Sequence, residues 1–506
     1  METELRQVTP TKAFWPSVVL LSVATGIVDA IFSSIRSLWG DEAFTAVVSS
    51  LGTRDFFHLV LHERDAVNAT YDLVMRPYEA FAGHTTLILR LPSAAFMAIA
   101  CAGIMLIARK LTNSRAAILT GAFFLLLPLV QGFGSEARSY ALSAAVATWS
   151  TWLLLGLSSD QGHARTWKWC YGASLVLLGY VFLYAFLIVA AHALFVASHP
   201  SSSKRVRSVV RVQSVALLLL LPLAVISWHE HGEISWIPSG LRAMVYNGFG
   251  IFITPFWPGM TSTPYPEILA VLAWSIIAIG VFRLALGEGD ATMSWTAVRL
   301  GVIWAIVPGV IFSMASLVGH YFTLRYLVFC APAVALLLGV AVDRIGRTSW
   351  RTAIIVIFAL LVVLADGPLF SVTGKDGWGS AQQVLSSHGA TGEFVMPTPQ
   401  TYGNWLLLDP RVTGLPHEMT LIDFGIGRHW TPTIVVRSWS SQRAPSTGVV
   451  WLVSRFGVVS CSDLRTLRRW GFRAWAEFGG KTSPIYEFVS RANHAPTTVR
   501  VTCSVP

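Results

Sequence analysis

The chain of 506 residues is 54% hydrophobic and only 13% charged, with a mean hydropathy of +0.58, whereas a soluble domain carries about 25% charged residues. So little charge over so long a chain excludes an ordinary soluble protein and indicates an integral membrane protein. The net charge of +10 would suit a nucleic-acid binder, but the basic residues collect in short loops beside apolar runs, so membrane topology accounts for them.

Runs able to cross about 30 Å of hydrocarbon occupy residues 14–35, 88–108, 116–130, 140–157, 170–197, 215–228, 268–286, 300–318, 327–342 and 353–369. The run 170–197 exceeds one helix and is divided within 179–184, which gives about 11 spans. The first has an apolar stretch longer than the ~7–15 residues of a signal-peptide core and is read as retained.

Alternate loops carry Arg6 and Lys12, then Arg109, Lys110 and Arg115, then Arg165 and Lys168, then Lys204, Arg205, Arg207 and Arg211, then Arg344, Arg347 and Arg351, with the loop 287–295 the weak member, flanked only by Arg283 and Arg299. Short cytoplasmic loops accumulate such residues. The expected protein is therefore a multi-pass protein of the cell membrane with its N-terminus inside and its C-terminus outside.

Beyond residue 370 the composition changes. Short β-rich runs at 393–396, 433–436, 449–453 and 485–489 alternate with helical patterns at 377–387 and 462–470, predicting a small extracytoplasmic α/β domain over 371–506 after a mainly α membrane domain over 1–370. Cys101, Cys170 and Cys330 lie in or beside spans as apolar fillers. Cys461 and Cys503 share the outer domain, where a disulfide persists, and are expected to pair, although spacing alone does not establish it. No CxxC pair or HExxH motif indicates a metal site.

Chemistry concentrates in the predicted outer loops, near 36–86, 131–140, 229–265 and 319–326. The first opens with Trp39-Gly40-Asp41-Glu42 and continues with Asp55, Glu63, Asp65, Asn68, Tyr71 and Arg76. Its stretches 42–51 and 66–81 are amphipathic and suit helices lying along the interface. One carboxylate at this depth suffices to take a proton from an attacking hydroxyl, and Asp41 is the candidate base; capping of the following helix is the structural alternative for Asp41 and Glu42.

The second loop reads Gln131-Gly132-Phe133-Gly134-Ser135-Glu136-Ala137-Arg138-Ser139-Tyr140, a tight connection in which Arg138 can bind phosphate with Glu136 orienting it, or the two can form a structural pair. A later loop carries His320 and Arg325-Tyr326, where Arg325 either meets an anion or snorkels. The aromatic loop 229–265 contributes Trp236 as a sugar or prenyl contact amid an interfacial belt. Asp29, inside the first span, is read as functional or paired. His192 and His320 are read as hydrogen-bonded structural histidines, because no ligand cluster accompanies them.

Together, Trp39-Gly40-Asp41-Glu42-Ala43, Leu89-Arg90-Leu91-Pro92-Ser93, Glu136-Ala137-Arg138-Ser139-Tyr140 and Arg325-Tyr326-Leu327 resemble the GT-C class of polytopic glycosyltransferases. The likeness is to the protein mannosyltransferase-like and aminoarabinose-transferase-like group common in actinobacteria, over roughly the first three quarters of the chain. That resemblance implies transfer of mannose or another hexose or pentose from a polyprenyl-phosphate donor to a glycolipid, polysaccharide or protein acceptor outside the membrane. By the same analogy Asp41 is the catalytic base, Glu42 positions the acceptor, and Arg138 and Arg325 hold the donor phosphate beside Tyr140 and Tyr326. Glu136, Asp65, Asn68, Tyr71, Trp236 and His320 are supporting or acceptor-side candidates.

No cofactor is required by this reading, and no divalent metal is indicated. Many relatives carry a His-Pro-Leu-Tyr-Tyr-like stretch where this chain reads Asp65-Ala66-Val67-Asn68-Ala69-Thr70-Tyr71-Asp72, so the aromatic survives at Tyr71 and the histidine does not. A lipid-linked-sugar flippase or transporter is the rival from another class, and a non-catalytic scaffold presenting the outer domain is the third reading; a transporter tends to show internal repeats, and none is evident.

Overall fold

The computed structural model describes residues 13–36, 38–62, 66–83, 85–157, 164–198, 203–230, 237, 240, 264–286, 291–321, 323–345, 347–365, 367, 378–390, 393–398, 420–423, 437–438, 448–454, 459–478, 485–490, 501 and 503. It divides into two compact units: residues 1–33, 57–74 and 90–368 form the first, and 34–56, 75–89 and 369–506 the second. The predicted boundary near 370 is close to the 368/369 division, and the second unit also takes two pieces of the first long loop.

The helices of the membrane part are α1 (Phe14–Ile35), α5 (Thr86–Leu111), α6 (Ser114–Leu126), α7 (Pro128–Gly134), α8 (Tyr140–Gly156), α9 (Ala164–Val181), α10 (Ile188–Ala197), α11 (Ser203–His229), α12 (Tyr265–Ala285), α13 (Ala291–Ala315), α14 (Ala331–Asp343) and α15 (Thr348–Ala365). Between α1 and α5 lie α2 (Gly40–Ser50), α3 (Thr53–His62) and α4 (Ala69–Ala82). Each predicted apolar run is helical over most of its described length. Seven helices among the described residues are long and apolar enough to cross a membrane, or eight if α6 and α7 form one span, against the expected 11. The shortfall lies in α8, α9 and α10, which are shorter or less apolar pieces.

Proline explains the α6–α7 bend of 59°. Pro128 has no N–H to continue α6, and it forces Leu127 into an extended conformation, with φ −68° and ψ 119°. The expected tight loop from Gln131 is corrected here: Gln131–Gly134 complete α7, and the connection to α8 is only residues 135–139. The long run 170–197 breaks at Phe182, which is extended, before a 3₁₀ turn at Leu183–Leu187. A second 3₁₀ segment, Leu324–Cys330, leads into α14.

Burial along α14 is complete, on every side, so this helix is apolar around its whole circumference. Its most extensive packing is on α6, followed by α13 and α12. Lipid offers no hydrophobic drive for helix association, so such contacts depend on small residues that let backbones approach. A Cβ on Gly339 would overlap Thr120 Oγ1 and lie 2.5 Å from the Thr120 nitrogen, and one on Gly280 would overlap Ala341.

At one end of α14, Asp343 receives Asn113 Nδ2 at 2.9 Å and Arg115 Nε at 2.5 Å. Within the bundle, Gln213 Nε2 donates to Tyr171 Oη (3.0 Å), the Tyr171 hydroxyl lies 3.0 Å from His192 Nδ1, and Thr151 Oγ1 lies 3.0 Å from His192 Nε2. Thr151 itself donates to Ala147 O, which leaves it accepting from Nε2–H and makes Nδ1 the acceptor for Tyr171. The structural reading of His192 is borne out.

In the second unit a six-stranded sheet has the order β3-β2-β1-β4-β6-β5. Its strands are β1 (Phe394–Thr398), β2 (Thr420–Asp423), β3 (Arg437–Ser438), β4 (Val449–Ser454), β5 (Phe472–Phe478) and β6 (Ile485–Ser490), accompanied by α16 (Trp378–His388) and α17 (Cys461–Arg469). The β1–β4 and β1–β2 pairings are parallel, and β6 runs antiparallel to β4 and β5. The expected α/β character holds; β2 and β5 were not anticipated, and the expected strand at 433–436 lies outside the described residues. Cys461 and Cys503 form the expected disulfide, with Cα atoms 5.0 Å apart.

On the sheet face holding Trp451, Glu487 is its cross-strand partner, Glu393 Oε2 accepts from Trp451 Nε1 at 2.6 Å, and Phe478 lies between the rings of Trp451 and His388. Burial lifts the Glu487 carboxyl above its usual range, the neighbouring Glu393 adds to the rise, and His388 opposes it. The folded domain thus holds this proton to higher pH than the unfolded chain does, and its stability falls as pH rises through that interval.

Two expectations follow. Gly339→Ala lowers the thermal midpoint by the equivalent of about 1–3 kcal/mol of overpacking, while Gly26→Ala, whose Cβ meets its nearest neighbours at 3.5 Å, does not. Glu487→Gln slows hydrogen exchange of the β4 and β6 amides at neutral pH and flattens its dependence on pH above 4.5, the ordinary carboxyl value.

Candidate active site

In the first unit, three irregular backbone segments converge on one set of rings. Tyr140, at the start of α8, meets Phe133 of α7 at 5.2 Å and Phe182 at 5.5 Å between ring centroids. Phe182 in turn meets Tyr326 at 5.5 Å. Tyr326 stacks on Tyr184 at 4.7 Å with the planes 16° apart, and Phe312 closes the group against both tyrosines.

The two arginine-bearing motifs are thereby joined through Phe182, a residue that the sequence reading did not select. The signal available for it was the overlong run 170–197, whose division point falls on this aromatic. Non-helical backbone at membrane depth survives only where protein covers it or where it lines a polar cavity, and discontinuous helices commonly mark ligand sites in membrane proteins.

Arg138 and Glu136 are buried beside these rings in sequence, in the short turn 135–139, where Arg138 N–H donates to Glu136 O at 2.9 Å. Arg325 is partly exposed, with its guanidinium carbon 5.7 Å from the Tyr326 ring. His320 donates from Nδ1 to Ile237 O at 2.5 Å, which fits its structural reading.

The start of α4 is tied to the same region. Ser139 Oγ donates to Asn68 Oδ1 at 2.8 Å, and the Tyr71 hydroxyl lies 3.0 Å from Ser93 Oγ in α5. The expected residues Asn68 and Tyr71 are thus brought to the turn that carries Arg138 and to the Leu89–Ser93 motif. Glu230, not selected from sequence, accepts the Ala66 N–H on both carboxylate oxygens, at 3.3 and 3.1 Å. Asp65 and Trp236 lie outside the described residues.

Arg90 is 1% exposed, and its Nη1 donates to Ser33 O at 2.9 Å, near the end of α1. The last carbonyls of a helix lack partners within it, and a cation is favourable there. The guanidinium therefore satisfies the end of α1 eight residues before Asp41.

In the second unit, Asp41 lies in the first turn of α2 and is partly exposed, while Glu42 is fully buried. Glu42 Oε2 accepts from the Trp39 N–H at 3.2 Å, so its carboxylate has the capping geometry weighed above. The other end of α2 is fixed by α4: Ser49 Oγ donates to Glu79 Oε1 at 2.6 Å, and Arg76 donates to Leu51 O at 2.6 Å while its guanidinium lies over Phe56. Both amphipathic stretches of the first loop are helical as expected, and α3 is an additional helix. Among the described residues no three His, Cys, Asp or Glu side chains converge on one point.

No family model matches the chain, and no curated protein matches it. Solved structures do. ArnT from Cupriavidus metallidurans in the apo state covers 94% of this chain with 98% of its own, at 16% identity and a TM-score of 0.55; its form bound to undecaprenyl phosphate gives the same coverage and identity with a TM-score of 0.52. The archaeal oligosaccharyltransferase AglB from Archaeoglobus fulgidus, in complex with an inhibitory peptide and a dolichol-phosphate, covers 94% of this chain with 74% of its own, at 12% identity and a TM-score of 0.50. The arabinofuranosyltransferase AftD from Mycobacteria covers 95% of this chain with 40% of its own, at 14% identity and a TM-score of 0.50. The resemblance read from the short motifs is borne out at the level of fold.

Replacing Arg90 by Leu strands the Ser33 carbonyl and costs about 1–3 kcal/mol. The expected outcome is a lower thermal midpoint, which Arg90→Lys partly restores.

Proposed function

We propose, from the GT-C glycosyltransferase fold that this chain shares with ArnT, AglB and AftD, that the protein transfers a sugar from a polyprenyl-phosphate carrier to an acceptor hydroxyl. The observation that carries this reading is the convergence of the Arg138-Ser139-Tyr140 and Arg325-Tyr326 segments on one aromatic cluster at broken spans. Two always-charged guanidinium groups beside apolar rings suit a ligand that combines an anionic headgroup with an isoprenoid tail.

In the proposed reaction the carboxylate of Asp41 takes the proton of the acceptor hydroxyl as its oxygen attacks the anomeric carbon. The bond from that carbon to the phosphate oxygen breaks, and polyprenyl phosphate departs with the electron pair. Arg138 and Arg325 stabilise the charge that grows on the leaving phosphate, a preorganised electrostatic effect that can supply much of the barrier reduction. Glu42 caps α2 and so holds Asp41 in register, which merges its capping geometry with a positioning role.

The proposed carrier is a polyprenyl phosphate. Mannose, another hexose and a pentose such as arabinose remain candidate sugars, with glycolipid, polysaccharide or protein as acceptor. We place the sheet-bearing domain and the reaction outside the cytoplasmic membrane; the Cys461–Cys503 disulfide supports this, since such bonds persist in oxidising compartments, as do the basic residues of the alternate loops.

Purified wild type and Asp41→Asn, supplied in liposomes with radiolabelled polyprenyl-phosphate mannose or polyprenyl-phosphate arabinose and a cell-envelope acceptor extract, separate the readings. Transfer falling about 10²–10⁴-fold in Asp41→Asn, with the donor retained in its leaflet, supports the glycosyltransferase. Movement of the donor between leaflets without transfer in wild type overturns it in favour of a flippase, and neither activity leaves the scaffold.

A further inference from the structure

We infer that Asp29, buried within α1, is a positioning residue that sets the height of the Arg138-bearing turn through contact with Gly134; this rests on the proposed role of Arg138 toward a prenyl phosphate. Asp29 is 0% exposed inside a span, where an ionisable side chain is costly to keep and serves function or pairing. The proposed transfer step makes no use of it.

Its carboxylate lies against the last residue of α7. A Cβ on Gly134 would overlap Asp29 Oδ2, lie 2.5 Å from Asp29 Cγ and lie 3.0 Å from Met97 Cγ. The carboxylate thus occupies the space that a side chain at position 134 would need, and glycine is required there by close approach rather than by backbone conformation.

The same segment of α1 is also held by Arg90. Ser33 Oγ donates to Asp29 O at 2.7 Å, and Ser33 O receives Arg90 at 2.9 Å. Asp29 thereby lies one turn before a carbonyl pinned by Arg90, and Gly134 is set on Asp29. From Gly134 the chain runs through Ser135, whose hydroxyl and N–H both bond Gln131 O, into Glu136, Ala137 and Arg138. With only three residues between Gly134 and Arg138, a displacement at Gly134 is transmitted to Arg138 with little slack. A misplacement of about 1 Å at a binding group can cost about a hundredfold in rate.

The test uses the full chain in nanodiscs, with tritiated undecaprenyl phosphate as the probe. Gly134→Ala is expected to weaken binding by at least about tenfold, and Asp29→Ala in the Gly134→Ala background to restore most of it, because the added methyl then fills the vacated space; such coupling is the mark of two side chains in contact. Asp29→Asn, of the same shape, retains most of the affinity, whereas Asp29→Ala alone loses it. Gly280→Ala, equally crowded but against Ala341, lowers thermal stability without changing affinity, which separates positioning from general destabilisation.

Wild-type affinity in Gly134→Ala, or a loss that Asp29→Ala does not relieve, overturns the inference while the donor reading stands. Should Gly134→Ala fail to fold, the Asp29→Asn and Asp29→Ala pair decides: unequal affinities support the positioning role, and equal ones overturn it. No binding of the probe by wild type overturns the prenyl-phosphate reading and takes the inference with it.

Discussion

The architecture depends on one constraint: a backbone N–H or C=O inside hydrocarbon must find a partner within the protein. Regular helix meets it automatically, so each departure has to be covered. The turn 135–139 before Tyr140, the extended Phe182 and the 3₁₀ segment Leu324–Cys330 meet at the same group of rings. One aromatic cluster joins three interruptions, and in doing so it draws together the segments that carry Arg138 and Arg325.

Elsewhere the bundle is held by proximity rather than by apolar drive. Glycines 339 and 280 allow α14 to touch α6 and α12 at backbone distance. Hydroxyls of Thr120, Thr148 and Thr151 are satisfied on their own helices through carbonyls four residues back, and the Gln213–Tyr171–His192–Thr151 chain links α8, α9, α10 and α11 with both imidazole nitrogens occupied. Such networks specify which faces meet, because a slipped register strands polar atoms in an apolar medium.

The first long loop shows how short helices are fixed in place. Each carries its own pins: Arg90 on the end of α1, Glu42 on the start of α2, Ser49 and Glu79 between α2 and α4, Arg76 on the α2–α3 turn. Helices of 10–14 residues are marginal alone in water, so these charged and capping contacts supply the rigidity that they lack by themselves.

Sequence by itself determined the membrane class, the positions of the apolar helices, the amphipathic helices of the first loop and the α/β character of the final domain. All rest on composition or on periodicity, which are local. It also showed Asp29 to be anomalous without saying why. Tertiary structure decided the rest: that Gln131–Gly134 belong to a bent helix, that Phe182 bridges Tyr140 and Tyr326, that Asn68 and Tyr71 bond Ser139 and Ser93, and that Asp29 fills the place of a side chain at Gly134. Apart from the bend, which Pro128 sets locally, none of these is a property of a window of sequence, because each is set by residues tens to hundreds of positions apart that meet only when helices pack.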